Sequence, residues 1–118
     1  MKIYNLDKNG NISETQKMHI CYIGENAKEN WKLLEKANDN DIFFHLSSFP
    51  SCYVILKYNE EIDEIVLYKV AQLCKNKTKY RNLKNLKIDY CSCSNLYKGE
   101  KVGQVYFHKK RQVKQIKL

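Results

Sequence analysis

The sequence predicts an α+β domain, a mixed but mainly antiparallel sheet of about six to seven strands with two helices, one short and one long. Short β-branched and aromatic runs bounded by Asn, Gly, Pro and Ser recur along the chain, as strands and their turns do. Two longer stretches place apolar residues at helical spacing instead. The 118 residues are 43% hydrophobic and 29% charged, with one proline and four glycines, which suits a single folded domain over residues 1–118.

Residues 2–6 (KIYNL) and 18–23 (MHICYI) read as paired strands, because the intervening DKNGN carries the Asn-Gly signal of a hairpin. Residues 26–37 (NAKENWKLLEKA) are helix formers that put Trp31, Leu34 and Ala37 on one face beside Leu33, ending at Asn38. Residues 41–47 (DIFFHLS) and 52–58 (CYVILKY) read as strands joined by SSFPS, which holds the only proline, Pro50. Alternation sends Ile42, Phe44 and Leu46 to the core and groups Asp41, Phe43 and His45 on the other face, where they are expected to form an open polar patch.

Residues 61–80 are expected to form the longest helix, with Ile62, Ile65, Val66, Val70, Leu73 and Cys74 at helical spacing. Acids Glu61, Asp63 and Glu64 suit its start, and Lys75, Lys77 and Lys79 suit its end. Residues 86–91, 102–108 and 112–118 read as three more strands. The segment between the first two is a loop, and Lys109, Lys110 and Arg111 form a tight basic turn between the last two.

The cysteines Cys21, Cys52, Cys74, Cys91 and Cys93 are odd in number and irregularly spaced, which predicts reduced, buried thiols in a cytoplasmic protein, with the nucleus as the alternative. No apolar run approaches the roughly 18 to 20 residues that cross a bilayer, and the first residues lack a secretory layout, so no membrane insertion is expected.

The net charge of +8 is unevenly spread. Residues 1–74 carry eight Lys and eleven acids, whereas residues 75–118 carry thirteen Lys or Arg and two acids. A polyanion-binding surface has this signature, since each neutralised phosphate releases a counterion. Lys75, Lys77, Lys79, Tyr80, Arg81 and Lys84 cluster at the helix end, Ser94, Asn95, Tyr97 and Lys98 in the loop, and Lys109, Lys110 and Arg111 at the turn. Lysine and arginine attract phosphate, Ser and Asn position it, and tyrosine stacks on unpaired bases.

Other chemistry has little support. His19, His45 and His108 with the cysteines are potential ligands, but Cys91 and Cys93 lack the C-x2-C pairs of structural zinc sites, so no metal is expected. No phosphate-cradling glycine loop, dinucleotide fingerprint or nucleophile elbow occurs, so no cofactor is expected. Asp41 and His45 lie four residues apart on one strand face, about 13 Å, too far for an acid–base pair. The expectation is a protein that is not an enzyme.

Two segments resemble a known family. DIFFHLSSFPSCYVILK, residues 41–57, resembles the D-x-W-F-H … P-G-S-H-V-I-L-R signature of the NFACT RNA-binding domain found in ribosome quality-control proteins. SNLYKGEKVGQVYFHKKRQVK, residues 94–114, resembles the corresponding stretch of stand-alone eukaryotic relatives, the coiled-coil domain-containing protein 25 group. The resemblance runs over residues 18–118. It implies a domain that binds RNA, contacting tRNA on a stalled large ribosomal subunit in the large family members.

Asp41, His45, Pro50, Ser94, Asn95, Gly103, Phe107 and His108 match the pattern. Phe43 replaces its tryptophan, Ser51 its glycine, Tyr53 its second histidine and Lys57 its arginine, which keeps the charge and loses the planar fork. The segments for ribosome attachment, peptide tailing and the coiled coil are not matched. The expected interface therefore comprises Asp41, Phe43, His45, Tyr53 and Lys57 with Lys75, Lys79, Arg81, Lys84, Ser94, Asn95, Lys98, His108, Lys109, Lys110 and Arg111. The expected partner is structured RNA, tRNA or rRNA. DNA is the alternative, as is an adaptor role on ribosomal or quality-control proteins.

Overall fold

Alternating apolar side chains on the central strands bury a sheet on both faces, and the computed structural model describes all residues 1–118 in this arrangement. β1 (Lys2–Leu6) and β2 (His19–Ile23) pair antiparallel. Their connection starts at Asp7, whose Oδ1 accepts the N–H groups of Asn9 and Asn11 at 2.9 and 3.0 Å. It bends at Gly10, whose φ of 84° and contact with Lys69 leave no room for a side chain.

α1 (Ala27–Lys36) starts at Asn26, whose side chain accepts the Glu29 N–H. β3 (Ile42–Leu46) and β4 (Val54–Leu56) follow, then α2 (Glu64–Asn76), capped by Asp63 through the Val66 N–H. β5 (Lys87–Ser92) leads through a 3-10 turn at Cys93–Asn95 into β6 (Leu96–Lys98) and β7 (Val105–Phe107). A second 3-10 turn at Lys110–Gln112 precedes β8 (Lys114–Lys117).

Six strands form one antiparallel sheet in the order β1-β2-β4-β3-β5-β8, so β1 and β8 are its edges, while β6 and β7 pair as a separate ribbon. α2 covers one face, packing Val66, Val70, Ala71 and Cys74 on Phe44, Leu46, Val54, Leu56 and Ile88. On the other face α1 contributes Leu33 and the ribbon contributes Leu96, Val105 and Phe107 over Phe43, Tyr53, Ile55 and Cys91. The result is a predominantly antiparallel α+β domain with three layers.

Several expectations change. The long helix covers 64–76 and not 61–80, because Asp63 caps it and Thr78 Oγ1 donates to the Lys75 carbonyl at 2.9 Å as the chain turns away. Residues 96–98, expected in a loop, form β6, and the strand over 102–108 shrinks to β7. β7 and β8 are not a hairpin: residues 109–113 carry the chain from the ribbon to the sheet edge, where Ile116 reaches the main core.

All five cysteines are free thiols, and burial pushes Cys21 and Cys93 up to about 12 and Cys91 up to about 11, so these three stay protonated.

Candidate nucleic-acid interface

The expected open patch on β3 is covered, because α1 and the ribbon lie on that face. Asp41 and Phe43 are buried, as is Tyr53 just before β4, whose ring meets that of Phe43 edge-on at 5.0 Å. Asp41 accepts the N–H groups of Asn38 and Tyr58 at 2.8 and 2.9 Å, and its Oδ2 lies 2.6 Å from Lys57 Nζ. Burial disfavours its charge, but Lys57 and the two N–H groups outweigh that and hold the carboxyl below 3.8. Asp41 and Lys57 thus satisfy each other and tie β3 to β4; neither presents a free charge.

His45 stays partly open. Its ring stacks on Phe43 with centroids 6.1 Å apart and meets the edge of Tyr53 at 5.3 Å. Burial pushes its pKa below 6.5, so the imidazole is neutral at neutral pH. Tyr53 O–H donates to the Gly103 carbonyl, pinning the ribbon tip over the sheet. Between tip and sheet lies a cleft of about 390 Å³, with Phe43, Tyr53 and Phe107 as its aromatic wall and His45, Ser47 and Asp89 as polar lining.

Strand register builds the rest of this cleft. His45 faces Asp89 on β5, and Asp89 faces Gln115 on β8, so these three form one row across the sheet. Gln115 Nε2 donates to Asp89 Oδ1 at 2.8 Å and to Ser47 Oγ at 3.1 Å. In the next row on that face Lys87 and Lys117 are direct cross-strand partners, and neither is in an ion pair. Asp89, Lys87, Gln115 and Lys117 were not singled out from sequence: they become neighbours only when β5 is flanked by β3 and β8.

The ribbon's outer face is different. Tyr97 and Tyr106 are 46% and 41% exposed, with ring centroids 5.5 Å apart, and His108 lies 4.6 Å from Tyr97. Asn95 is buried and clamps residue 109 twice: its Oδ1 accepts the Lys109 N–H at 2.9 Å and its Nδ2 donates to the Lys109 carbonyl at 3.0 Å. It positions the exposed Lys109, Lys110 and Arg111 beside the aromatic face. Ser94 is exposed next to it. Lys98 is taken up by Glu35 and the Trp31 ring, 5.0 Å from Nζ to centroid.

Lys75, Lys79, Arg81 and Lys84 lie at and beyond the end of α2. Tyr80 packs on Phe49, after β3, at 4.3 Å between centroids. The Cys93–Asn95 turn instead bonds to the residues before β3, through Cys93 N–H to the Asp41 carbonyl and Ser94 N–H to the Asp39 carbonyl. The two basic clusters therefore sit at opposite ends of β3 and on opposite faces of the sheet, and do not merge into one patch.

Comparisons with known proteins agree with this architecture. The model of the family described as the NFACT protein RNA binding domain matches residues 7–109. Coiled-coil domain-containing protein 25 of Danio rerio is 34% identical over 104 residues, which cover 81% of this chain and 50% of the relative. Its homolog in Dictyostelium discoideum is 30% identical over 108 residues, covering 84% and 52%. This chain thus spans about half the length of those relatives.

Among solved structures, the C-terminal part of the fibronectin/fibrinogen-binding protein from Streptococcus suis shares the fold. Its TM-score is 0.81 at 23% identity, over 99% of this chain and 44% of that one. With the family model spanning most of its length, the chain belongs to the NFACT protein RNA binding domain family.

Proposed function

We propose that this domain binds structured RNA, tRNA or rRNA, without catalysing a reaction, and acts in ribosome-associated quality control in the cytoplasm. The observation that carries the reading is the exposed Tyr97, Tyr106 and His108 face leading into Lys109, Lys110 and Arg111. Exposed rings offer stacking surfaces to unpaired bases, and adjacent cations hold the phosphates between them. The family description supports RNA over DNA. The second basic cluster, at the end of α2, is separate and would meet another part of a folded RNA.

The test is affinity for tRNA and for duplex DNA of similar length across salt concentrations. Binding of tRNA should be tighter, and its logarithm should fall linearly with the logarithm of salt concentration. Undetectable binding at low salt, or binding without salt dependence, would refute the reading. Stronger binding of duplex DNA would redirect it to DNA.

A further inference from the structure

The cleft beneath the ribbon tip has a chemistry unlike the basic surfaces. One carboxylate, Asp89, lines it, and no Lys or Arg does. A phosphate in contact with that carboxylate would be repelled, whereas a neutral ligand with donor groups would not. The partly exposed rings of His45 and Phe107, packed against the buried Phe43 and Tyr53, offer planar surface to a ligand, and about 390 Å³ falls within the roughly 300 to 1,000 Å³ usual for small-ligand sites.

We propose that this cleft receives an unpaired guanine base, read by Asp89, with Lys87 and Lys117 holding the attached phosphate. The inference rests on the nucleic-acid reading above and names the base that a second, separate site selects. Guanine alone among the four RNA bases carries two adjacent donors, N1–H and the N2 amino group, on its pairing edge. A carboxylate accepts both in a charge-assisted pair. Adenine and cytosine place a ring acceptor beside their amino group, and uracil flanks its one N–H with two carbonyls.

Asp89 is oriented for this contact. Gln115 Nε2 holds Oδ1 at 2.8 Å and is itself held by Ser47 Oγ, while Oδ2 makes no hydrogen bond within the protein. His45, directly opposite in register, is neutral and leaves the carboxylate uncompensated. Lys87 and Lys117 face each other on the same side of the sheet one row further out. Like charges directly opposite in a sheet are destabilising, and a bridging phosphate removes that repulsion.

The experiment is titration of the whole chain with the 5′-monophosphates of guanosine, adenosine, cytidine and uridine. It is followed by backbone amide shifts and by emission of Trp31, whose Nε1 donates to the Gln104 carbonyl beside the cleft at 2.9 Å. The guanosine nucleotide should shift Asp89, Gln104 and Phe107 and bind at least about five-fold tighter than the others, the lower end of bidentate base discrimination. Asp89→Asn, which still accepts from Gln115, should abolish that preference. Lys87→Glu with Lys117→Glu should weaken the nucleotide more than guanosine itself.

Equal affinities, shifts confined to residues 109–111, or a preference that survives Asp89→Asn would overturn the proposal. Salt-dependent tRNA binding with no nucleotide in the cleft would end this inference and leave the RNA reading intact. Guanosine nucleotide binding without tRNA binding would sustain the cleft and end the RNA reading.

Discussion

Lys57 Nζ lies 2.6 Å from Asp41 Oδ2, linking the residue that precedes β3 to the residue that follows β4. Asp41 is 3% exposed and Lys57 32%, so the contact is shielded on the carboxylate side. Two positions of the family pattern are thereby committed to holding the strand pair. Asp41→Ala leaves Lys57 and two backbone N–H groups without their acceptor, and should cost about 3 kcal/mol of stability in urea unfolding. The folded carboxyl titrates below its ordinary 3.8, so its stabilisation is complete above that pH and is lost as pH falls through the folded value. Asp41→Asn should flatten this acid limb of the stability curve.

His45 titrates in the opposite chemical sense and with the same pH direction. Burial pushes its pKa below 6.5, so the folded state binds fewer protons than the unfolded chain as pH drops through that value. Its contribution is present above 6.5 and declines below. A ring-proton NMR titration should place the His45 midpoint under 6.5, and His45→Phe should reduce the loss of stability between that pH and the midpoint.

Removing the clamp on the basic turn should act on binding through geometry. Asn95→Ala breaks both bonds to residue 109, at a cost of about 1 to 3 kcal/mol. Cleavage by trypsin after Lys109, Lys110 and Arg111 should accelerate, and tRNA affinity should fall although every cation remains.

Charge and stacking are separable on the ribbon. Replacing Lys109, Lys110 and Arg111 by Glu should weaken tRNA binding and reduce its salt slope by about one for each phosphate no longer neutralised. Tyr97→Ala with Tyr106→Ala should cost single-stranded RNA about 1 to 3 kcal/mol per stacked base, with the salt slope unchanged. Far-ultraviolet circular dichroism should show both variants folded, since all five side chains are exposed.

Gly103 should tolerate no side chain. Its φ is +87°, and an added Cβ would lie 2.6 Å from that of Ala27. Gly103→Ala should destabilise the domain by more than about 1 kcal/mol and increase hydrogen exchange in residues 99–104, because the ribbon tip loses its seat and its bond from Tyr53.

Much of this molecule was readable before its fold was known. Alternation in 41–47 correctly divided Phe44 and Leu46 from Phe43 and His45, since side-chain period belongs to the strand itself. The same pattern was silent on what covers each face, so an apparently open patch lies beneath α1 and β6–β7. Lys109, Lys110 and Arg111 were visible as a charge cluster, but their support by Asn95 spans fourteen residues and a strand reversal. Asp89, Gln115 and Lys117 were indistinguishable from ordinary surface residues, because their meaning is set by register between strands remote in sequence.

The positions of β1 and β8 at the two ends of the sheet give some of the basic residues a second duty. An edge strand exposes unpaired backbone groups to any passing extended chain, and lysine is a common guard against such strand addition. Lys2 stands on β1, and Lys114 and Lys117 stand on β8. Neutralising the β8 pair to probe ligand contacts would also unguard that border, so loss of solubility there is a foreseeable consequence of sheet order alone.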